Sequence, residues 1–220
     1  MKYDAYLFDL DGTLLDTSEG VVNALNQICI RLNIPKITKS QAKRFLGPPL
    51  SQVILNLYPQ ASKEEVDMGV KIYKEYFSRR GIYEAELYGG MPRLLRYLKD
   101  CGAGLAVVSL KYQEAVEQTL KLFKLEEYFD LAFGADIYGE LTKHDLIEKC
   151  IKELGGVDRR RMVMIGDSPY DAEGARRSGI DFIAVSYGFG FTKESSRDYN
   201  PVLIISSPEE MLDAVKMEIC

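Results

Sequence analysis

Histidine is almost missing from this chain. Its one copy, His144, excludes a multi-histidine metal centre, and no cysteine lies near enough in sequence to signal a Cys/His dyad. An exposed position at the start of a helix is the expectation for it. Cysteine is sparse as well. Cys29, Cys101, Cys150 and Cys220 stand far apart with no CxxC spacing, which argues against a zinc cluster or a redox dithiol and leaves buried free thiols. No apolar run approaches membrane-spanning length, and the N-terminus enters an apolar strand with no charged-then-apolar leader. A cytoplasmic protein with no membrane partner is expected. No Lys/Arg cluster forms a basic stripe, and the formal net charge of −5 disfavours nucleic acid as a partner. A small-molecule substrate fits better.

What is present is a soluble globular composition, with 46% apolar and 28% charged residues and no biased tract. The 220 residues suffice for one large domain or a domain with an insertion. The organising stretch is Tyr6-Leu7-Phe8-Asp9-Leu10-Asp11-Gly12-Thr13, an apolar run that ends in two carboxylates, a glycine and a threonine. It reads as a buried strand that delivers acids to a site, with Asp9 and Asp11 sharing one strand face. Carboxylates so close repel unless a cation sits between them or one keeps its proton. A metal site, an acid/base pair, or both follow, against the plainer reading of a polar strand end that caps a helix.

Asp16, Thr17 or Ser18 can each cap a following helix, in which Val21, Ala24, Leu25, Ile28 and Leu32 recur at helical spacing. To about Tyr83 the pattern stays helical, with helices expected near Lys39 to Leu46, Leu50 to Leu57 and Lys63 to Arg80, and no strand of any length. Beyond Gly89-Gly90 short apolar runs alternate with amphipathic helices, the pattern of a parallel sheet. Strands are expected at Gly104 to Val108, Leu131 to Gly134, Met162 to Ile165, Phe182 to Val185 and Val202 to Ile205. Helices are expected near Pro92 to Asp100, Tyr112 to Leu122, Lys143 to Leu154, Asp171 to Ser178 and Pro208 to Met217. The expected class is therefore α/β: a discontinuous core of residues 1–15 and 86–220, with residues 16–85 inserted as a small α-helical cap. Ligands of open parallel sheets bind beyond the carboxyl ends of the strands. Asp9, Ser109 and Asp167 stand at such ends, and Lys143 opens a helix beside them.

Taken in order, Asp9-Leu10-Asp11-Gly12-Thr13, Ser109, Lys143 and Gly166-Asp167-Ser168…Asp171 resemble the four motifs of the haloacid dehalogenase superfamily. Gly47-Pro48-Pro49-Leu50, Tyr76-Phe77 and Tyr88-Gly89-Gly90-Met91 are similar to its phosphoglycolate phosphatase and 5′-nucleotidase-like branch. The resemblance implies a Rossmann-like three-layer core and a phosphatase of small phosphate monoesters. Two positions depart from the common pattern, Leu110 after the motif-two hydroxyl and His144 after the motif-three lysine.

By the same resemblance Asp9 is the nucleophile that forms an aspartyl-phosphate, and Asp11 is the general acid and base. Ser109 and Lys143 then bind and stabilise the phosphoryl group, with Gly12 and Thr13 beside it and Gly47 and Pro48 facing the leaving group. The implied cofactor is Mg²⁺, held by the Asp9 side chain, the Asp11 carbonyl and Asp167, with Asp171 close by through water or by fixing Lys143. Lys43 and Arg44 are candidate cations near the leaving group, though an exposed helix face explains them too. Lys111 is expected to be solvated at a helix start, and Tyr187-Gly188-Phe189-Gly190 to be a tight loop. A pyrophosphatase or phosphomutase of the same superfamily is the alternative, and a non-catalytic binding module is a third reading. A dehalogenase is disfavoured because it has no use for the acid at Asp11. Neither substrate nor oligomeric state, monomer or homodimer, follows from the sequence.

Overall fold

The four residues of Ala5–Phe8 are all apolar and all buried, so the strand they form is covered on both faces. In chain order the strands are β1 (Ala5–Phe8), β2 (Leu15–Asp16), β3 (Glu86–Leu87), β4 (Gly104–Tyr112), β5 (Leu131–Ala135), β6 (Met162–Gly166), β7 (Asp181–Val185) and β8 (Leu203–Ile205). The helices are α1 (Ser18–Arg31), α2 (Lys39–Ala42), α3 (Leu50–Leu57), α4 (Lys63–Arg79), α5 (Met91–Asp100), α6 (Gln113–Leu122), α7 (Lys143–Leu154), α8 (Pro169–Ser178), α9 (Lys193–Ser196) and α10 (Pro208–Met217). This computed structural model describes residues 2–42, 45, 47–136 and 140–217.

Six strands form one sheet in the order β5-β4-β1-β6-β7-β8, with every pairing parallel. Period-two alternation divides β1 between two apolar layers. Tyr6 and Phe8 pack with Leu94, Leu98, Met211 and Leu212 from α5 and α10, whereas Ala5 and Leu7 pack with Leu146, Ile147, Ala172 and Ala175 from α7 and α8. Helices thus cover both faces, and the fold is the α/β, Rossmann-like three-layer arrangement that the alternation predicts.

Between β2 and β3 the chain is helical. Val21, Leu25 and Ile28 of α1, Ile54 of α3, and Val70, Tyr73 and Phe77 of α4 make a third apolar cluster. Where the chain leaves and re-enters the core, β2 and β3 pair antiparallel, Leu15 with Leu87 and Asp16 with Glu86. Two residues are too few to show a period, so this ribbon is absent from the sequence reading. The cap of α1 is supplied by Asp16, whose Oδ1 accepts from the Ser18 N–H at 2.9 Å, while Thr17 occupies the cap position without a side-chain bond.

Three differences bear on the site. β1 stops at Phe8, so Asp9 and Asp11 lie in the loop beyond it and not on a common strand face. β4 runs to Tyr112, four residues past its expected end, and therefore contains Ser109 and Lys111. Cys101 is exposed, not buried; Cys29 and Cys150 are buried free thiols, and Cys220 lies outside the described residues. Lys43, Arg44 and Leu46, at the end of the second expected cap helix, also lie outside them.

Candidate active site

One ammonium group ties together the end of β1, the middle of β4 and the first turn of α8. Lys143 is the first residue of α7, set there by a capping box in which Thr142 accepts from the Asp145 N–H. Its Nζ lies 2.7 Å from Asp9 Oδ1, 2.7 Å from the Val108 carbonyl oxygen and 2.7 Å from Asp171 Oδ1. The ammonium thus donates to Asp9 and to the Val108 carbonyl and forms an ion pair with Asp171. Asp171 performs two tasks, since its Oδ2 accepts from the Ser168 N–H at 3.0 Å and the Ser168 hydroxyl at 2.6 Å to cap α8.

Asp167 follows β6, and its Oδ2 accepts the Phe189 and Gly190 N–H groups at 2.6 and 3.2 Å. This approach requires glycine on both sides. A Cβ on Gly188 would sit 2.3 Å from the Gly12 carbonyl oxygen, and one on Gly12, whose φ is +81°, would sit 2.3 Å from Asp167 Oδ2. The tight loop Tyr187-Gly188-Phe189-Gly190 is thus also the seat of a site carboxylate.

Asp9, Asp167 and Asp171 are buried and offer oxygens within 4.8 Å of one another. Burial pushes the Asp9 carboxyl up to about 7, with Asp171 adding to the rise and Lys143 opposing it. Burial, then the charges of Asp9 and Asp171, push Asp167 up to about 8. Burial pulls Lys143 down, but Asp171 and Asp9 outweigh it and hold the ammonium above its usual value. Three acids around one base leave an excess of negative charge, and an all-oxygen donor set of this kind fits a hard divalent cation such as Mg²⁺.

The Asp11 carboxylate is turned away from this group. Both of its oxygens accept from Lys111 Nζ at 2.9 Å, and the ammonium also lies 4.2 Å from the centre of the Phe77 ring of α4. The Lys111 side chain is 4% exposed, so the solvated helix start expected for it is wrong. Had the alternation Ser109, Leu110, Lys111, Tyr112 been read as strand, period two would have put Lys111 on the side of Ser109.

One cleft, enclosing about 690 Å³ with the space open to solvent, is lined by Asp9, Asp11, Ser109, Lys111 and Lys143 from the core. Phe45, Gly47, Pro48, Leu50 and Tyr73 line it from the helical segment. Asp167 and Asp171 stand outside that lining, behind Asp9. Gly12 and Thr13 do not line the cleft; Thr13 is fully buried, and its carbonyl oxygen accepts from the Tyr187 hydroxyl at 2.9 Å. Leu110 lines it, as the residue beside Ser109. His144 is half-buried, with Nδ1 2.8 Å from the Ser178 hydroxyl, because α7 packs against α8 there; it is not an exposed helix-start residue.

Residues 6–185 match the family described as haloacid dehalogenase-like hydrolase. A 5′-nucleotidase of Pseudomonas aeruginosa is 31% identical over 203 residues, spanning 91% of this chain and 90% of its own. Pyrophosphatase PpaX of Halalkalibacterium halodurans is 28% identical and spans 98% of each. Among solved structures, one described as a predicted phosphatase from Clostridium acetobutylicum superposes with a TM-score of 0.90 at 32% identity, over 99% of this chain and 100% of that one.

Proposed function

We propose that this chain, which belongs to the haloacid dehalogenase-like hydrolase family and is a phosphatase of that family, hydrolyses small phosphate monoesters through an aspartyl-phosphate on Asp9. The observation that carries the reading is the Asp9 carboxylate, buried at the cleft floor with one oxygen fixed by Lys143. Lys143 binds Oδ1, and no other hydrogen bond of this carboxylate is formed among the described residues, so Oδ2 is the oxygen left to attack phosphorus in line.

In the first half-reaction a bond forms from Asp9 Oδ2 to phosphorus as the ester oxygen–phosphorus bond breaks, and Asp11 gives the leaving oxygen its proton. In the second, Asp11 takes a proton from water as that water attacks phosphorus, and the Asp9 oxygen–phosphorus bond breaks to release phosphate. The Ser109 hydroxyl and the Lys143 ammonium, both on the cleft wall, stabilise the charge on the transferring group. Mg²⁺ would be held by the Asp9 and Asp167 side chains and the Asp11 carbonyl, with Asp171 as its neighbour and as the partner of Lys143. When bound it supplies positive charge to the phosphoryl oxygens. The domain reading accompanies this: residues 16–85 act as a cap over a core of residues 1–15 and 86–220.

The partner is a small phosphorylated metabolite, not nucleic acid or membrane. Among the described residues no helix is long and apolar enough to cross a membrane. Purified protein is expected to release phosphate from a panel of monoesters with Mg²⁺, to stop with chelator and to recover when Mg²⁺ is returned. Release that ignores the chelator, or no release from any ester, overturns the reading.

A further inference from the structure

We infer that Lys111 selects the substrate, by leaving Asp11 for a second anionic group carried on the leaving side of the phosphate ester. The inference rests on the phosphatase reading above. Its starting point is a geometry that this reading does not use. Both Asp11 oxygens accept from the Lys111 ammonium at 2.9 Å, in a pair whose side chains are only 18% and 4% exposed.

That arrangement is at odds with the task of Asp11. To serve a leaving oxygen, an Asp11 oxygen has to turn towards it, and in this pair both oxygens are held by the one ammonium. Asp11 therefore works only after the ammonium has released at least one of its oxygens. A buried ion pair adds little net stability, and an ammonium withdrawn from its carboxylate is costly unless another anion meets it. A second negative charge on the substrate supplies that anion. Recognition and release of the acid are then one event.

Lys111 is also the cation available for it. Among the described residues that line the cleft the ammonium groups are those of Lys111 and Lys143, and Lys143 already meets Asp9, Asp171 and the Val108 carbonyl oxygen. Because Asp11 is the group that serves the leaving oxygen, its Lys111 partner stands on the leaving-group side of phosphorus. The rest of the cleft lining mixes the apolar Val21, Leu25, Leu50 and Val53 with Tyr73, Tyr112 and Asp136, and among the described residues it brings no cation besides Lys111 and Lys143. The class this fits is a phosphate ester or anhydride with a carboxylate or second phosphate a few bonds from the scissile oxygen.

The test compares 2-phosphoglycolate and pyrophosphate, which carry the second anion as carboxylate and as phosphate, with ethyl phosphate, which has none. The wild-type protein is expected to favour at least one of the two over ethyl phosphate by roughly tenfold or more in kcat/KM, the scale of a buried charge contact. Lys111→Met is expected to reduce that ratio about tenfold, mainly through KM, and Lys111→Arg to keep most of it. A wild-type ratio near one overturns the inference without recourse to any variant, as does a Lys111→Met protein that loses the same factor on every ester, which marks Lys111 as a positioning residue for Asp11. Thermal melting shows whether Lys111→Met folds; if it does not, the wild-type ratio and the Arg variant decide. Phosphate release from none of these compounds, nor from an aryl phosphate, brings down the phosphatase reading itself.

Discussion

Asp9 sits among more negative charge than its burial tolerates, with two other buried acids and one ammonium around it. Replacing it by asparagine removes an attacking oxygen and a repulsive charge at almost constant volume. Asp9→Asn is therefore expected to melt no lower than wild type in metal-free buffer near pH 8, yet to lose activity by on the order of a thousandfold or more. A fall in melting temperature with activity retained would make Asp9 structural. The same charges fix a pH dependence. In the metal-free folded protein Asp9 and Asp167 keep their protons up to about 7 and about 8, whereas an unfolded aspartate loses its proton near 3.9. Between these limits the folded state binds more protons, so these two groups lower metal-free stability as pH rises from about 4 to about 8. Mg²⁺ competes with those protons, and the rise in melting temperature on adding it is expected to be larger near pH 8 than near pH 6. Equal shifts at both pH values would place the cation elsewhere. Residues that carry their chemistry in their own identity, such as Asp9, Asp167 and Lys143, could be singled out in the sequence at strand or helix ends. Lys111 could not, because its role depends on where β4 stops, and a lysine inside a buried strand runs against its ordinary surface habit.

Element existence was legible wherever the apolar period was long enough to count. The five strands expected after Gly89-Gly90 correspond to β4 through β8, and their boundaries differ chiefly where polar site residues continue a strand, as in β4. The β2 and β3 ribbon and the four-residue α9 were illegible for the opposite reason: each is too short to repeat its period. Close backbone approaches were hidden too, since a glycine inside a helix looks only like a weak helix former. Gly20 in α1 is such a case. A Cβ there would lie 2.0 Å from the Gly81 carbonyl oxygen, a backbone atom that cannot rotate aside. Gly20→Ala is expected to destabilise the protein, because overpacking of about 1–3 kcal/mol exceeds the ~1 kcal/mol that alanine offers in a helix. Chemical denaturation measures this, and a variant more stable than wild type would show that α1 and the Gly81 turn shift apart at no cost.

At the scale of the whole molecule the cleft lies where the sheet rim meets the helical cluster, which packs on Tyr112 and Ala115 of the core and which the β2 and β3 ribbon tethers at neighbouring points. Gly47 and Pro48 bring the helical segment's backbone to the cleft wall, so any selection among leaving groups beyond the charge contact of Lys111 falls to this side. The Gly47 φ of +108° is one that side-chain-bearing residues rarely adopt, and a Cβ there would meet Ser168 and Tyr170 at ordinary contact distance, 3.9 Å. A substitution at Gly47 therefore acts through the path of the Gly47-Pro48-Pro49 backbone and not through a clash. Gly47→Ala is expected to change the relative rates among phosphate esters by more than it changes the rate with a small aryl phosphate, whose activated leaving group asks least of the cleft wall. The measurement is a kcat/KM panel with the aryl phosphate as internal reference. If every rate falls by one common factor, the loop serves closure over the rim, and discrimination between substrates must arise on the core side, from Lys111 and Asp11.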